Sequence, residues 1–261
     1  MTNFFIQSYL TYRALFFWLN WPSYIGNVFL VPVLYITMLL LTGRFANSPL
    51  DSEFYVLGMA AYSTPFILIW GITQCNYYER VTGTLAHVLG SSGNRWLIFW
   101  SKGTMHFPNG LFTVTSSLLF AWAFIGLDFT NLNWVTLVVS VLLFALSCTA
   151  FSLCIGIFAI VMRSWLTLSA TASGLLILLT GVVIPLEDLP FFLHYVGNVL
   201  PLTNGVTAFR AAFDGAGPMS VGDHLIWELG VGISYGVLGY LFFLFVEADA
   251  RRRGAYDTSI L

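Results

Sequence analysis

Long apolar runs alternate with short polar segments along almost the whole chain. A helix of about 20 residues can cross a hydrocarbon core of about 30 Å, because each residue adds a rise of about 1.5 Å. Six runs reach this length, and they predict an all-α polytopic membrane protein with six transmembrane helices. The predicted spans cover residues 23–42, 54–74, 96–125, 134–162, 165–184 and 224–246.

The N-terminal segment, residues 1–21, has a different pattern, which predicts a helix lying in the membrane interface. Aromatic side chains there supply rings suited to the headgroup layer. The alternative is that this segment begins one long tilted span. A narrow, weakly polar stripe recurs at helical spacing: Asn3, Gln7, Thr11 and Ala14.

The segment between the fifth and sixth spans, residues 185–223, is too apolar for a bare loop. Asp188 can cap a short helix with Pro190 in its first turn. Thr203 can cap a second helix, which Gly215 ends. Two short helices that do not cross the bilayer predict a re-entrant hairpin that enters from the outside and is buried against protein. The alternative is a loose extracellular cap.

The composition agrees with a lipid environment and with one membrane domain over residues 1–261. Charged residues make up 8% of the chain, apolar residues 58%, and the mean hydropathy is +0.82, whereas soluble domains carry about 25% charged residues. The net charge of −2 provides no basic surface for nucleic acid. The cysteines form no CxxC pair, so they predict apolar filling rather than a disulfide or metal framework.

The basic residues predict the orientation. With six spans both termini lie on one side, and eight of the 10 basic residues then lie on the cytoplasmic side of a cell (inner or plasma) membrane. The exceptions are Arg44 and Arg210. The acidic residues, including Glu228, fall mostly on the outer side. The segment 249–261 is therefore predicted to be a cytoplasmic tail.

The 9 tryptophans fall near predicted span ends. Amphipathic rings are favoured there, so we interpret them as an interfacial belt. The alternative is an aromatic path for a substrate.

The sequence lacks a catalytic or metal-binding constellation. Its one lysine, Lys102, is not part of a Gly-Lys-Ser/Thr motif, so the chain contributes no Walker-type phosphate site. If ATP is used, another polypeptide binds and hydrolyses it. Ion-coupled carriers generally place acids or histidines at mid-bilayer. Only His106 is expected to lie moderately deep here, which disfavours a channel or an ion-coupled carrier.

A polar, glycine-rich stretch, residues 75–95, interrupts the apolar pattern between the second and third spans and predicts a cytoplasmic coupling loop. It contains Glu79-Arg80-x-x-Gly83-Thr84-Leu85, followed by Leu89-Gly90-Ser91 and Arg95. A second motif runs from Gly181 to Pro190, followed by Leu200-Pro201-Leu202-Thr203 and Arg210.

These two motifs, in this order, resemble the ABC-2 type family of ABC-transporter permeases across nearly the whole chain. In two places the chain departs from the family pattern. The family often has Glu after Gly-Thr-Leu, where this chain has Ala86, and Pro after the loop serine, where this chain has Ser92.

The resemblance implies a dimer of permeases, identical or related, with two ATP-binding subunits that carry ATP and Mg²⁺. Movement of the ATPases would be transmitted through the coupling loop, where Gly83 is expected to allow close approach of backbones. The alternative is an ordinary solvated loop. The coupling candidates are Glu79, Arg80, Gly83, Thr84 and Leu85.

The resemblance also implies that the second and fifth spans line the translocation path at the dimer interface. The alternative for the residues concerned is ordinary packing between helices. The path candidates are Thr64, Phe66, Trp70, Thr73, Leu168, Thr171, Leu175 and Leu179.

Together these observations predict the membrane subunit of an ATP-driven exporter that moves an amphipathic molecule, drug-like or lipid, outwards. Uncharged path candidates suit a substrate that is recognised without ion pairing. A rival within the same family exports a lipid-linked polysaccharide, which needs a continuous aromatic and polar channel. An ion-coupled carrier is a weaker alternative, because charged groups are lacking at mid-membrane. A membrane scaffold would leave the coupling loop unexplained. An intramembrane enzyme would need catalytic groups that the sequence lacks.

Overall fold

The computed structural model describes Tyr9 and residues 21–45, 49–84, 94–162 and 164–253. It is 83% helix, with no strand among the described residues, which confirms the predicted all-α class. Two segments, Gly26–Leu30 and Ala121–Ile125, are π-helical. The α-helices are α1 (Trp21–Ile25), α2 (Val31–Phe45), α3 (Ser52–Val81), α4 (Arg95–Phe120), α5 (Trp134–Val161), α6 (Trp165–Leu179), α7 (Phe191–Val199), α8 (Thr203–Phe213) and α9 (Gly222–Arg253).

Several helical stretches in the described part of the chain are long and apolar enough to cross a membrane, which confirms a multi-pass membrane protein. They match the first four predicted spans and the sixth, although the second continues beyond its predicted end. These five stretches are Gly26–Phe45, Ser52–Val81, Trp96–Ile125, Trp134–Val161 and Gly222–Ala248.

The fifth predicted span is helical over only part of its length. α6 has 15 residues, a rise of about 22 Å, which is shorter than a hydrocarbon core of about 30 Å. The chain turns just after it, where Gly181 has a φ of +77°. The number of six crossings therefore stays a prediction.

α3 and α5 lie at the centre of the fold. α3 packs against α2, α4, α5 and α6, while α5 also contacts α8 and α9. In the most apolar 18-residue stretch of α3, 83% is buried inside the protein, whereas only 17% of the corresponding stretch of α9 is buried. The exposed side of α9 carries Leu, Ile, Val and Phe side chains, as expected for a helix that faces lipid.

The two short helices between the fifth and sixth spans are confirmed as α7 and α8, but their N-termini differ from the prediction. Asp188 ends a 3-10 turn, and Pro190 occupies the N-cap of α7. Thr203 is the first residue of α8 rather than its cap. Its Oγ1 donates to the carbonyl of Gly197 at 2.6 Å, and Leu202 precedes the helix with a φ of +82°.

α8 is part of the core, whereas α7 lies at the surface. Most α8 side chains are buried, and α8 contacts α5 and α9. The alternative of a loose cap therefore does not fit α8, while the entry of this pair into the bilayer stays a prediction. α7 exposes an apolar face made of Phe191, Phe192, Tyr195, Val196 and Val199.

Some of the predicted features fall outside the described residues. The interfacial helix of residues 1–21 does so apart from Tyr9 and Trp21. The same holds for Leu85 and the rest of 85–93 in the coupling loop, and for 254–261 in the tail.

Candidate functional site

Aromatic side chains form a row along the face of α3 that meets α6. Tyr62, Phe66 and Trp70 recur every four residues, which places them on one helix face. The ring centroids are 6.2 Å apart for Tyr62 and Phe66, and 5.5 Å apart for Phe66 and Trp70. Trp165, at the start of α6, continues the row, with its ring 5.8 Å from Trp70 and 6.5 Å from Tyr77. These separations lie in the contact range of aromatic pairs.

Hydrogen bonds join the two helices beside this row. The hydroxyls of Thr73 and Ser169 are 2.5 Å apart, and the Tyr62 hydroxyl donates to the carbonyl of Ser173 at 3.0 Å. We call this region the α3–α6 seam. It comprises Tyr62, Phe66, Trp70, Thr73 and Tyr77 on α3 with Trp165, Ser169 and Ser173 on α6.

Two polar atoms of the seam have no hydrogen-bond partner among the described residues. They are the indole Nε1 of Trp70 and the hydroxyl of Ser173, and both atoms are buried. A buried polar group without a partner costs about 1–3 kcal/mol. Both atoms are closed off in this structure, so a molecule could bind to them only after α3 and α6 had moved apart.

α3 extends through Val81, so Arg80 lies on its last turn and not in a loop that begins at residue 75. The Nη1 of Arg80 donates to the carbonyls of Ile160 and Met162, both at 2.9 Å. These carbonyls are at the C-terminal end of α5, where no intrahelical donor remains and a cation is favoured. Arg80 therefore ties the end of α3 to the end of α5.

The other coupling candidates lie beside this contact. Glu79 is 5% exposed, and its carbonyl accepts from the Thr84 hydroxyl at 3.2 Å. Gly83 has a φ of +75° and follows the C-cap of α3, the position where glycine commonly ends a helix. A Cβ on Gly83 would meet nothing within 4 Å. The structure thus shows a left-handed backbone at Gly83, while close approach to another backbone at this position stays a prediction.

A family model described as ABC-2 type transporter matches residues 5–213, which include α1 to α8 and the whole seam. The chain belongs to the ABC-2 type transporter family. The resemblance noted in the sequence is thereby confirmed. No curated protein matches the chain.

As an ABC-2 type chain, the protein is a membrane component of an ABC transport system. Chains of this family are membrane subunits, generally without an ATPase site, and they normally pair with ABC ATP-binding subunits. The apolar helices agree with a multi-pass position in a membrane.

The ABC-2 chain brings only some of the path candidates together. Phe66, Trp70 and Thr73 lie on the seam, whereas the hydroxyl of Thr64 donates to the carbonyl of Gly110 on α4 at 3.2 Å. The candidates on α6 point in different directions, and their part in translocation stays a prediction. Leu179 is buried, Leu168 is half-buried, and Thr171 and Leu175 are exposed.

The sequence analysis did not name five seam residues as candidates: Tyr62, Tyr77, Trp165, Ser169 and Ser173. Helical spacing contained the signal for the tyrosines, because both share the face of Phe66 and Trp70. Trp70 contacts Trp165 at the start of α6, and the place of both rings in an interfacial belt stays a prediction.

A carboxylate that the sequence analysis placed on the outer side lies inside the fold. Glu228 is 0% exposed. Its Oε1 accepts from the backbone N–H of Leu202 at 2.8 Å, and its Oε2 accepts from that of Gly205 at 3.0 Å. The hydroxyl of Ser147, halfway along α5, donates to the same carboxylate. Glu228 therefore caps the N-terminus of α8 from α9, and the expectation that only His106 lies deep is wrong.

Arg210 holds the opposite half of α8. Its Nη1 donates to the carbonyl of Gly181 at 2.8 Å, and its Nη2 donates to the carbonyls of Phe54 and Val182 at 2.9 and 3.0 Å. The guanidinium carbon lies 3.7 Å from the centre of the Phe54 ring. Burial lowers the pKa of Arg210 to about 10, so the group stays charged at neutral pH. Arg210 thus joins α8, the start of α3 and the turn after α6.

Proposed function

We propose that this chain is the permease subunit of an ATP-driven exporter that moves an amphipathic molecule, such as a drug-like natural product or a lipid, out of the cell. The proposal places both termini in the cytoplasm of a cell whose plasma or inner membrane the chain spans. ATP and Mg²⁺ bind to separate ATP-binding subunits. The α3–α6 seam is the observation that carries this proposal.

The seam suits a molecule with an apolar body and a few hydrogen-bond acceptors. None of the eight side chains that define it is charged. Aromatic rings offer large apolar contact areas, and the buried, unpartnered hydroxyl of Ser173 and Nε1 of Trp70 would offer donors to polar atoms once α3 and α6 move apart. A substrate that is recognised by ion pairing would find no counter-charge among these side chains.

A second permease chain would cover the side of the seam that this chain leaves open. The outward side of α6 exposes Leu166, Leu175 and Leu178 by 47–51%. This face adjoins α7, which contacts α6 and exposes a further apolar face. Large exposed apolar patches mark sites of association with protein or lipid. In this arrangement α6 forms the fifth of six crossings, and α7 and α8 form the re-entrant hairpin.

Replacing Trp70 tests the seam as the substrate path. We expect Trp70→Ala to raise the substrate concentration that half-maximally stimulates the ATPase by about twofold to tenfold, because an aromatic contact contributes about 0.5–1.5 kcal/mol beyond its area. The measurement is ATP hydrolysis by the purified complex of permease and ATPase in lipid nanodiscs, titrated with a panel of amphipathic drugs.

Two variants serve as controls for this measurement. Trp134→Ala removes an indole that is 62% exposed at the start of α5, and we expect it to leave the titration unchanged. Trp70→Phe keeps a ring but removes the Nε1 donor, so we expect an intermediate shift for substrates that carry acceptors. If Trp70→Ala and Trp134→Ala gave the same half-maximal substrate concentration, the seam would not be part of the substrate path.

Replacing Gly83 tests coupling at the end of α3. Valine tolerates a φ of +75° poorly, so Gly83→Val should displace the chain between α3 and α4. We expect the ATPase that co-purifies in mild detergent to fall several-fold. Gly217→Val is the matched control, because a Cβ there also meets nothing within 4 Å but the position shows no positive φ. If both variants retain the ATPase equally, the α3 end does not form the docking element.

The aromatic row also favours a second candidate function, the export of a lipid-linked polysaccharide. Sugar rings pack against aromatic rings, and the row runs from Tyr62 to Tyr77 along α3. Deletion of the gene distinguishes the two proposals. Loss of a surface polysaccharide without a change in drug tolerance would favour this second candidate, and the opposite result would favour the first.

A further inference from the structure

The face of α3 that carries the seam continues towards the start of the helix. Gly58 lies one turn before Tyr62, and Phe54 lies one turn before Gly58. Residues that are four positions apart are neighbours on a helix surface. The row of the seam therefore extends by two turns towards the end that lies outermost in the proposed orientation.

The contacts of these turns follow one segment of the chain, which consists of α6 and the turn after it. The Tyr62 hydroxyl donates to the carbonyl of Ser173 on α6 at 3.0 Å. Nearer the start of α3, Gly58 packs directly against the turn, because a Cβ on Gly58 would collide with the carbonyl oxygen of Val182. The two sides of the seam thus stay in contact beyond the residues that define it.

Arg210, on α8, joins both sides at this end of the seam. Its Nη2 donates to the carbonyl of Phe54 on α3, and its guanidinium lies over the Phe54 ring. On the other side it donates to the carbonyls of Gly181 and Val182. Arginine suits such a bridge, because its planar guanidinium presents several donors in a fixed geometry.

The two sides of this bridge depend on Arg210 to different degrees. The carbonyl of Phe54 belongs to the first turn of α3, where a regular helix supplies a backbone donor four residues further on. Gly181 and Val182 are buried in a non-helical turn, and their carbonyls accept from no backbone N–H among the described residues. A buried carbonyl without a donor is costly. Separation from Phe54 therefore leaves no carbonyl without a donor, whereas separation from the turn leaves two.

We propose that Arg210 is a latch that closes the outer end of the α3–α6 seam. The seam opens when the guanidinium releases Phe54 and keeps the carbonyls of Gly181 and Val182. α8 stays in place during this release, because Glu228 holds its N-terminus to α9. This inference rests on the proposed function, in which the seam is the substrate path.

The accessibility of a cysteine in the seam tests the latch. The reporter is Ser173→Cys, which replaces a hydroxyl by a thiol of similar shape at a position that is 4% exposed. The full-length permease in lipid nanodiscs is treated with a charged maleimide, without nucleotide or substrate, and labelling is followed by mass spectrometry. We expect slow labelling of the reporter, because the maleimide reaches it only when α3 and α6 separate.

Two variants should open the latch by different means. Arg210→Lys keeps the charge, but a single ammonium group cannot bridge the two sides as the guanidinium does. Gly58→Ala keeps Arg210 and places a Cβ 2.5 Å from its Nη2. Each should raise the labelling rate of the reporter by roughly tenfold, because a hydrogen bond to a charged group can shift a two-state equilibrium by about that factor. Gly230→Ala is the matched control, because a Cβ there meets nothing within 4 Å.

The native cysteines separate release of the latch from unfolding. Cys148 and Cys154 are buried on α5, and we expect both to stay unlabelled while the reporter reacts faster. Equal reporter rates in the parent, Arg210→Lys and Gly58→Ala would overturn the latch, and so would labelling of the native cysteines together with the reporter. The assay contains neither ATP nor substrate, so faster labelling in a protein that exports nothing would remove the proposed function and leave the latch in place.

Discussion

Glu228→Ala is expected to lower the melting temperature of the purified protein by roughly 6–12 °C. The substitution leaves the N–H groups of Leu202 and Gly205 without their acceptor inside the fold. Each unsatisfied buried group costs about 1–3 kcal/mol, which gives a total of about 3 kcal/mol or more. A change of 1 kcal/mol moves the melting temperature by about 2–4 °C in domains of 150–250 residues.

The backbone at Leu202 adds to this effect. Its φ of +82° is unfavourable for a residue with a Cβ, and the bond from its N–H to Glu228 holds it in place. We therefore expect the start of α8 to lose its structure first.

Two further variants sharpen the Glu228 experiment. Glu228→Gln retains one acceptor but turns an amide N–H towards a donor, so we expect an intermediate loss of stability. Glu187→Ala is the matched control, because Glu187 is exposed and its removal should leave the melting temperature unchanged. Equal melting temperatures for Glu228→Ala and Glu187→Ala would show that the carboxylate does not stabilise α8.

Arg210→Met should also lower the melting temperature by roughly 6–12 °C. Methionine approximates the apolar stem of arginine but cannot donate to the carbonyls of Phe54, Gly181 and Val182. Hydrogen bonds to charged groups contribute about 1.5–3 kcal/mol each, and the contact with the Phe54 ring adds to them. The expected total is therefore about 3 kcal/mol or more, converted at about 2–4 °C per kcal/mol.

The loss of Arg210 should also be visible locally. The turn that contains Gly181 and Val182 connects α6 to α7, so we expect faster hydrogen exchange of backbone amides from 181 to 190. Arg44→Met is the control, because Arg44 is exposed at the end of α2. Unchanged exchange in Arg210→Met would show that the turn is held by other contacts.

Much of the fold could be predicted because the signals were local. The third and fourth predicted spans agree with the structure to within a residue, since the length of an apolar run and the thickness of a bilayer decide a span. Gly215, with a φ of +81°, follows the end of α8. This helix end could also be predicted, because it depends on one neighbouring glycine. The fifth span was overestimated because Val182, Val183 and Ile184 extend its apolar run, whereas the backbone turns at Gly181.

The candidate site was predicted less well, because its contacts join distant parts of the chain. Arg80 meets carbonyls 80 and 82 residues further along. Thr73 and Ser169 are separated by 96 positions. Helical spacing can place Thr64 and Thr73 on α3, but it does not say that the first faces α4 and the second faces α6.

The sequence by itself determined the membrane class, the helical elements and the family, because apolar run length and the two ordered motifs are properties of neighbouring residues. Only the tertiary structure determined which partners the buried polar groups bind. Arg80 caps α5, Glu228 caps α8, and Arg210 binds carbonyls from two other segments. The physical reason is that a polar group buried among apolar helices must find its partner wherever packing brings one.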